Sequence, residues 1–155
     1  MTGYVLASGL KAVAESRGKT VAVAESMENG TLFGLNAQGK AVKATKLAGS
    51  VVKALGMVYE GSVREWGEGF VEDPNRPLNT KSYVDIMARH RVGVAEGTFT
   101  IAQVANKTPV YLGLAGEFTT TVPTGTGTLK QRVGIVVGQS TVEIDLNADL
   151  GEILA

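Results

Sequence analysis

The nearest approach to reaction chemistry in this chain is Gly125-Thr126-Gly127-Thr128-Leu129-Lys130. Glycines, hydroxyls and a lysine are residue types that cradle a phosphate. The spacing is not that of a P-loop, and a predicted strand follows it rather than a helix. Without a helix N-terminus an anion site loses its dipole and its row of free N–H groups. Glu143 and Asp145 stand two apart on a predicted strand, hence on one face, where two carboxylates could hold a hard cation. The plainer reading is the solvated side of an edge or barrel strand. Glu72-Asp73 lies in a predicted loop with no partner pattern. Ser8, Ser16 and Ser140 have no nucleophile-elbow context. Lys43, at a strand tip, lacks the flanking acid of a swinging-arm lysine. His90 is the one histidine, set in the small basic cluster Arg89-His90-Arg91. A catalytic histidine wants an acid, a nucleophile and a pocket, so a solvated or rim position is the simpler reading. These residues point to no catalytic site, no metal site and no cofactor.

Composition narrows the classes further. At 155 residues the chain is one medium domain or two very small ones. The formal net charge is zero, against the basic footprint that a nucleic-acid binder needs. There is no cysteine, which excludes disulfides, thiolate metal sites and a cysteine nucleophile. No apolar run approaches the roughly 20 residues of a membrane helix, and Met1-Thr2-Gly3-Tyr4-Val5-Leu6 has no basic leader of a signal peptide. Glycine is the outlier, with 20 in 155 residues. The glycines are scattered between alternating segments, the pattern of many turns in an all-β protein.

The elements that would position any site read as strands, and as strands written twice. At an offset of 78, Thr20–Glu25 falls on Thr98–Gln103, Leu32-Phe33 on Val110-Tyr111, Gly49 on Gly127 and Leu55–Val58 on Val133–Val136. Ser62 and Glu65 fall on Ser140 and Glu143. One compensated gap pairs Gly39 with Gly116. Two modules, or two unrelated β-segments sharing turn chemistry, both explain this. The period is too long for the usual solenoid or propeller repeats.

Residues 1–18 form an N-terminal arm, with Leu6, Leu10, Val13 and Ala14 able to line a turn of helix ending at Arg17-Gly18. Residues 19–66 form a first β-module. Val21 and Val23 alternate, Asn29-Gly30 turns the chain, Leu32–Leu35 is a short strand, Asn36–Gly39 turns it again and 40–44 returns. Val51, Lys53, Leu55, Met57 and Tyr59 then line one face of a strand and Val52, Ala54, Gly56 and Val58 the other. Residues 67–91 are a connecting loop and strand. Trp66-Gly67-Glu68-Gly69-Phe70 mixes large aromatics with glycine, and Asp73-Pro74-Asn75-Arg76-Pro77 is punctuation. Trp66 and Phe70 either tuck onto a barrel or anchor a partner, as exposed aromatics beside an arginine do. Residues 92–147 form a second β-module: Phe99 and Ile101 alternate with threonines, and Val110, Leu112 and Leu114 point one way. Phe118–Val122 is a strand by propensity. Leu129, Gln131, Val133, Ile135 and Val137 alternate, and Val142, Ile144 and Leu146 face inward, with Glu143, Asp145 and Asn147 outward. The tail, 148–155, ends in Ile153-Leu154, which packs or serves as a second arm. The fold class is all-β, with little helix.

A run of residues in the second half carries a resemblance. Thr108-Pro109-Val110-Tyr111-Leu112-Gly113, then Gly116-Glu117-Phe118-Thr119-Thr120-Thr121-Val122-Pro123-Thr124, then Gln131-Arg132-Val133-Gly134-Ile135-Val136 resembles the capsid decoration (cement) proteins of tailed bacteriophages. Val142–Leu146 fits the same pattern. The first half echoes it less fully, in Gly30-Thr31-Leu32, Gly39 and Lys53–Val58. The match covers roughly residues 92–147 and rests on turn and strand residues. The duplicated front half and the Trp66–Pro77 insertion depart from the smallest such proteins. The resemblance implies small β-barrel (β-tulip) modules on the outer surface of the phage capsid, made in the host cytoplasm. It implies trimers or dimers that bridge major capsid protein subunits after the shell expands, and termini that reach to capsid loops. Tyr4, Val5 and Leu6 would pair with a capsid strand by β-addition, and Trp66 and Phe70 would anchor a capsid or neighbour contact. Such a protein needs no active site, and a contact repeated by symmetry gains avidity from modest affinity per copy.

The alternatives are another virion part and a ligand-binding β-module. A tail-tube-like subunit would need a long stacking hairpin, which the prolines of 61–80 disfavour; a head-fibre base or minor capsid protein has no such requirement. A carbohydrate binder would want several exposed aromatics on one face, and most aromatics here occupy core-like strand positions.

Overall fold

The computed structural model describes residues 17–58, 63–65, 83–87 and 89–155. It is mostly β, with one short helix. The strands are β1 (Arg17–Ala22), β2 (Leu32–Leu35), β3 (Ala41–Lys43), β4 (Gly56–Met57), β5 (Val63–Glu65), β6 (Tyr83–Met87) and β7 (Arg89–Gly93). After helix α1 (Ile101–Ala105) come β8 (Pro109–Leu112), β9 (Phe118–Thr119), β10 (Leu129–Lys130), β11 (Arg132–Gly138), β12 (Thr141–Asp145) and β13 (Glu152–Ile153). The largest sheet is a curled, five-stranded half-barrel in the order β7-β12-β11-β8-β9. Smaller sheets run β1-β6-β5, β3-β2-β4 and β10-β13. All strand ladders are antiparallel.

Glycine turns set the hairpins where the sequence placed them. Asn36 Oδ1 accepts from the N–H groups of Gln38 and Lys40. Gly39, at φ 76°, closes the turn between β2 and β3. Gly116, at φ 79°, has the same role between β8 and β9. Left-handed backbone of this kind favours glycine because it lacks a Cβ.

The two halves lay down one arrangement. The order β3-β2-β4 recurs as β9-β8-β11. Leu35 stands opposite Ala41 as Leu112 stands opposite Phe118, an offset of 77 on both strands. Phe33 opposes Gly56 as Val110 opposes Gly134. Phe33 is therefore the counterpart of Val110, one residue from the sequence alignment. With that shift Gly39 and Gly116 match with no gap in the hairpin.

The halves share a core. Leu32, Ala44, Ala54 and Met57 pack in one cluster with Val110, Leu112, Leu129, Val133, Val136, Val142, Ile144 and Leu146. A smaller cluster gathers Val21, Val23, Met27, Phe33, Ala41 and Val58. Full burial of each such aliphatic contributes about 2 kcal/mol of hydrophobic stabilisation.

Several local expectations need correction. Phe99–Ile101 is not a strand: Phe99 is buried, and α1 begins at Ile101. Thr100 caps the helix, its Oγ1 accepting from Gln103 N–H while Gln103 Oε1 accepts from Thr100 N–H. This capping box overrides the alternation, so the repeat's first anchor joins a strand to a helix. Residues 51–58 form a strand only at β4, with a bridge at Val52. Their burial alternates from Lys53 to Gly56, with Lys53 and Leu55 exposed and Ala54 and Gly56 buried, and breaks at Met57, which is buried beside Gly56 and Val58. Their amides serve different partners: Val52 donates to Thr45, Leu55 to Phe33 and Val58 to Thr31. On β11 a register shift between Arg132 and Gly134 moves the inward set from Leu129, Gln131 and Val133 to Val136. One extra residue reverses the faces of a strand. Leu114 is exposed, since the hairpin loop starts at Gly113, and β9 ends at Thr119 rather than Val122. β1 starts at Arg17, inside the predicted arm; the other residues proposed there for a turn of helix lie outside the described residues. The tail is paired into the fold as β13 on β10, although Ile153 itself is exposed.

Candidate functional site

Among the described residues, the carboxylates singled out by the sequence meet basic partners on the neighbouring strand. β7 and β12 run side by side, placing Arg91 opposite Glu143 and Arg89 opposite Asp145. Arg91 Nη2 lies 3.0 Å from Glu143 Oε2, and Arg89 Nε lies 3.6 Å from Asp145 Oδ2. The two carboxylates are thus matched by guanidinium groups on the neighbouring strand, as a solvated cross-strand ladder. Among the described residues no three histidine, aspartate or glutamate side chains converge as metal ligands. His90 lies on β7 opposite Ile144.

The Gly125–Lys130 loop is closed by the tail instead of open to an anion. Gly125 and Gly127 have φ 101° and 82°. Gly127 N–H donates to Leu154 O, and Thr128 N–H donates to Gly125 O. Leu129 N–H donates to Lys46 O, and β10 then pairs with β13. The amides of Gly127, Thr128 and Leu129 are thus used within the fold. Asp149 secures the same tail: its Oδ2 accepts from Arg132 N–H and its Oδ1 from Gly151 N–H, both at 2.8 Å. Lys43 closes β3, and its backbone N–H donates to Glu25 Oε2 at 3.3 Å. Ser140 lies in the β11–β12 turn and accepts from Val94 N–H through its carbonyl.

One polar side chain joins the halves. Gln131 is 1% exposed. Its Oε1 accepts from Ala54 N–H at 2.8 Å and its Nε2 donates to Ala54 O at 2.9 Å. The neighbouring Leu55 N–H donates to Phe33 O of β2, while the Gln131 amide acts as a one-residue strand partner for Ala54. Leaving those buried groups unpaired would cost about 1–3 kcal/mol each. Sequence reasoning placed Gln131 on a strand but could not see this partner, 77 positions away. Gly116 forms the second junction: Leu32 N–H donates to its carbonyl and its own N–H donates to Ala44 O.

The surface available to partners consists of strand edges and loop tips. An open cleft of about 570 Å³ lies between β7 and the Asn29-Gly30 turn, with Met57 and Val92 in its lining. β9 is the outermost strand of the half-barrel opposite β7. Leu114 and Val122, on the segments flanking β9, are exposed, as are Leu47, Leu150 and Ile153. The predicted contact residues Tyr4, Val5, Leu6, Trp66 and Phe70 lie outside the described residues. No protein-family model, no curated protein and no solved structure matches the chain.

Proposed function

We propose that this chain is a structural virion protein. It binds the outer surface of a tailed-bacteriophage head and stabilises the expanded capsid by bridging major capsid protein subunits. In this reading it is two tandem β-tulip modules fused on a shared core. It performs no catalysis, carries no cofactor and contacts neither nucleic acid nor membrane.

The observation that carries the reading is where the decoration-protein motifs fall. The Val-Tyr segment is β8, the threonine-rich segment begins as β9 and the Gln-x-Val-Gly segment leads into β11. These three strands are neighbours in one sheet. The motif's glutamine is the buried clamp on Ala54. The resemblance thus falls on one contiguous structural unit, with a physical reason for its least ordinary residue. A shell whose Glu143 and Asp145 carboxylates are paired and whose glycine loop meets the tail suits a protein that works by contact.

The deciding test is sedimentation with emptied phage heads. Binding at fixed stoichiometry to expanded heads, and not to unexpanded ones, is the expected result. Deleting residues 1–8 should abolish that binding and leave the fold intact, because Tyr4-Val5-Leu6 is the segment assigned to the capsid. No binding to either form of head, with assembly into rings or tubes instead, would transfer the protein to a tail or connector.

A further inference from the structure

Among the described residues nothing pairs with the outer edge of β9 in the half-barrel, and the chain carries a second copy of the segment that covers the equivalent edge in the first half. In the first half, β3 is an outer strand, and residues 22–25 lie along it. Val23 bridges Ala41 in parallel orientation, Ala24 N–H donates to Ala41 O at 2.9 Å, and the Glu25 carboxylate accepts from Lys43 N–H at 3.3 Å. Val23 is 1% exposed, so this cover is packed.

In the second half the equivalent strand is β9, with Phe118 in the place of Ala41 and Thr120 in the place of Lys43. The segment that would cover it has become α1, which packs against β11. Among the described residues nothing pairs with the outer edge of β9. A bare edge offers unpaired N–H and C=O groups and is a template for another strand.

The covering segment reads Ala22-Val23-Ala24-Glu25-Ser26. The same five residues occur ten positions earlier, as Ala12-Val13-Ala14-Glu15-Ser16. Elsewhere the match is shorter: Val94-Ala95-Glu96 stops at three residues and turns at Gly97.

We infer that residues 12–16 of one copy lie along β9 of a second copy, parallel to it, as residues 22–26 lie along β3. Ala14 N–H then donates to Phe118 O, and the Glu15 carboxylate accepts from Thr120 N–H. Val13 lies over β9 between the exposed Leu114 and Val122. The occupant comes from another copy for a geometric reason. Arg17 is fixed opposite Met87, beside the start of β7. β7 and β9 are opposite edges of a five-stranded sheet. Four spacings of about 4.8 Å put them about 19 Å apart along the sheet, or about 12 Å across a half-cylinder. The two residues from Glu15 to Arg17 reach about 7 Å, short of either separation taken from β7. Arg17 itself pairs with Met87, two residues before β7, so the Ala14→Cys/Thr119→Cys double variant tests the within-chain route directly. This exchange of arms does not rest on the virion reading, since it occurs in solution without heads.

The chain has no cysteine, so single cysteines report contacts cleanly. Ala14→Cys and Thr119→Cys proteins, mixed under mild oxidation, should form a covalent dimer through a mixed disulfide. Ala14→Cys mixed with Gln139→Cys, at the exposed β11–β12 turn, should not. Light scattering of the unaltered chain should give a mass above the monomer, falling to the monomer in Val13→Asp with its circular dichroism unchanged. A monomer mass for the unaltered chain would overturn the proposal. So would equal disulfide yields in both mixtures, or a disulfide closed within one chain in the Ala14→Cys/Thr119→Cys double variant. Deleting residues 1–8 leaves this contact in place, so loss of head binding and loss of self-association are read separately.

Discussion

The first and second halves place the same three strands side by side and finish them differently. β3-β2-β4 has a short third strand and an outer edge covered by the chain that leads into it. β9-β8-β11 has a seven-residue third strand that continues through β12 to β7, and among the described residues nothing pairs with its outer edge. The divergence traces to a few residues. Thr100 and Gln103 form a capping box, whereas the aligned Ala22 and Glu25 do not, so one segment coils and the other stays extended. Gln131 is buried, whereas its counterpart Lys53 is exposed. The second half therefore supplies the clamp, and the first half supplies the irregular segment that receives it. Equivalent backbone positions acquire different energies once two modules share a core.

That asymmetry can be tested by changing equivalent residues. The largest effect is expected at Gly116. A Cβ there would stand 2.5 Å from Thr31 Cγ2 and 2.7 Å from Leu32 O, at φ 79°. Gly116→Ala should destabilise by about 4 kcal/mol in urea unfolding, because strain and a backbone clash add. A loss below about 1 kcal/mol would mean the junction is not a constraint. Next comes Gln131→Leu, which removes both partners of Ala54. About 3 kcal/mol should be lost, with faster amide exchange at Ala54; Lys53→Leu should change little. Gly39→Ala is the control for Gly116. Its φ is 76° with nothing within 4 Å, so only the left-handed backbone penalty of about 1 kcal/mol applies. The smallest effect is Arg91→Ala. The Arg91 side chain is 71% exposed, so solvent screening holds the loss near or below about 0.5 kcal/mol, and it should shrink further in salt.

Much of the architecture was legible along the chain. Asn29-Gly30, Asn36–Gly39 and Gly116 announced turns because left-handed backbone selects their residue types. Val142, Ile144 and Leu146 alternated with acidic neighbours, and that strand has the predicted faces. The errors also have physical causes. The Thr100-x-x-Gln103 signature was present but outweighed by the alternation of Phe99 and Ile101 with threonine. The strand through 51–58 is regular only at β4, because its other amides are satisfied one by one by Thr45, Gln131, Phe33 and Thr31. Alternation of side chains carries no record of such scattered partners.

By itself the sequence determined the mostly β character, the hairpins and the internal repetition. These follow from local sterics, side-chain periodicity and composition. Only the tertiary structure decided that the two halves close on one core and that Gln131 and Gly116 join them. It alone decided that β3 is covered, while among the described residues nothing pairs with the outer edge of β9. Those outcomes depend on which backbone groups meet across 70 or more positions, a matter of packing geometry that no local pattern encodes.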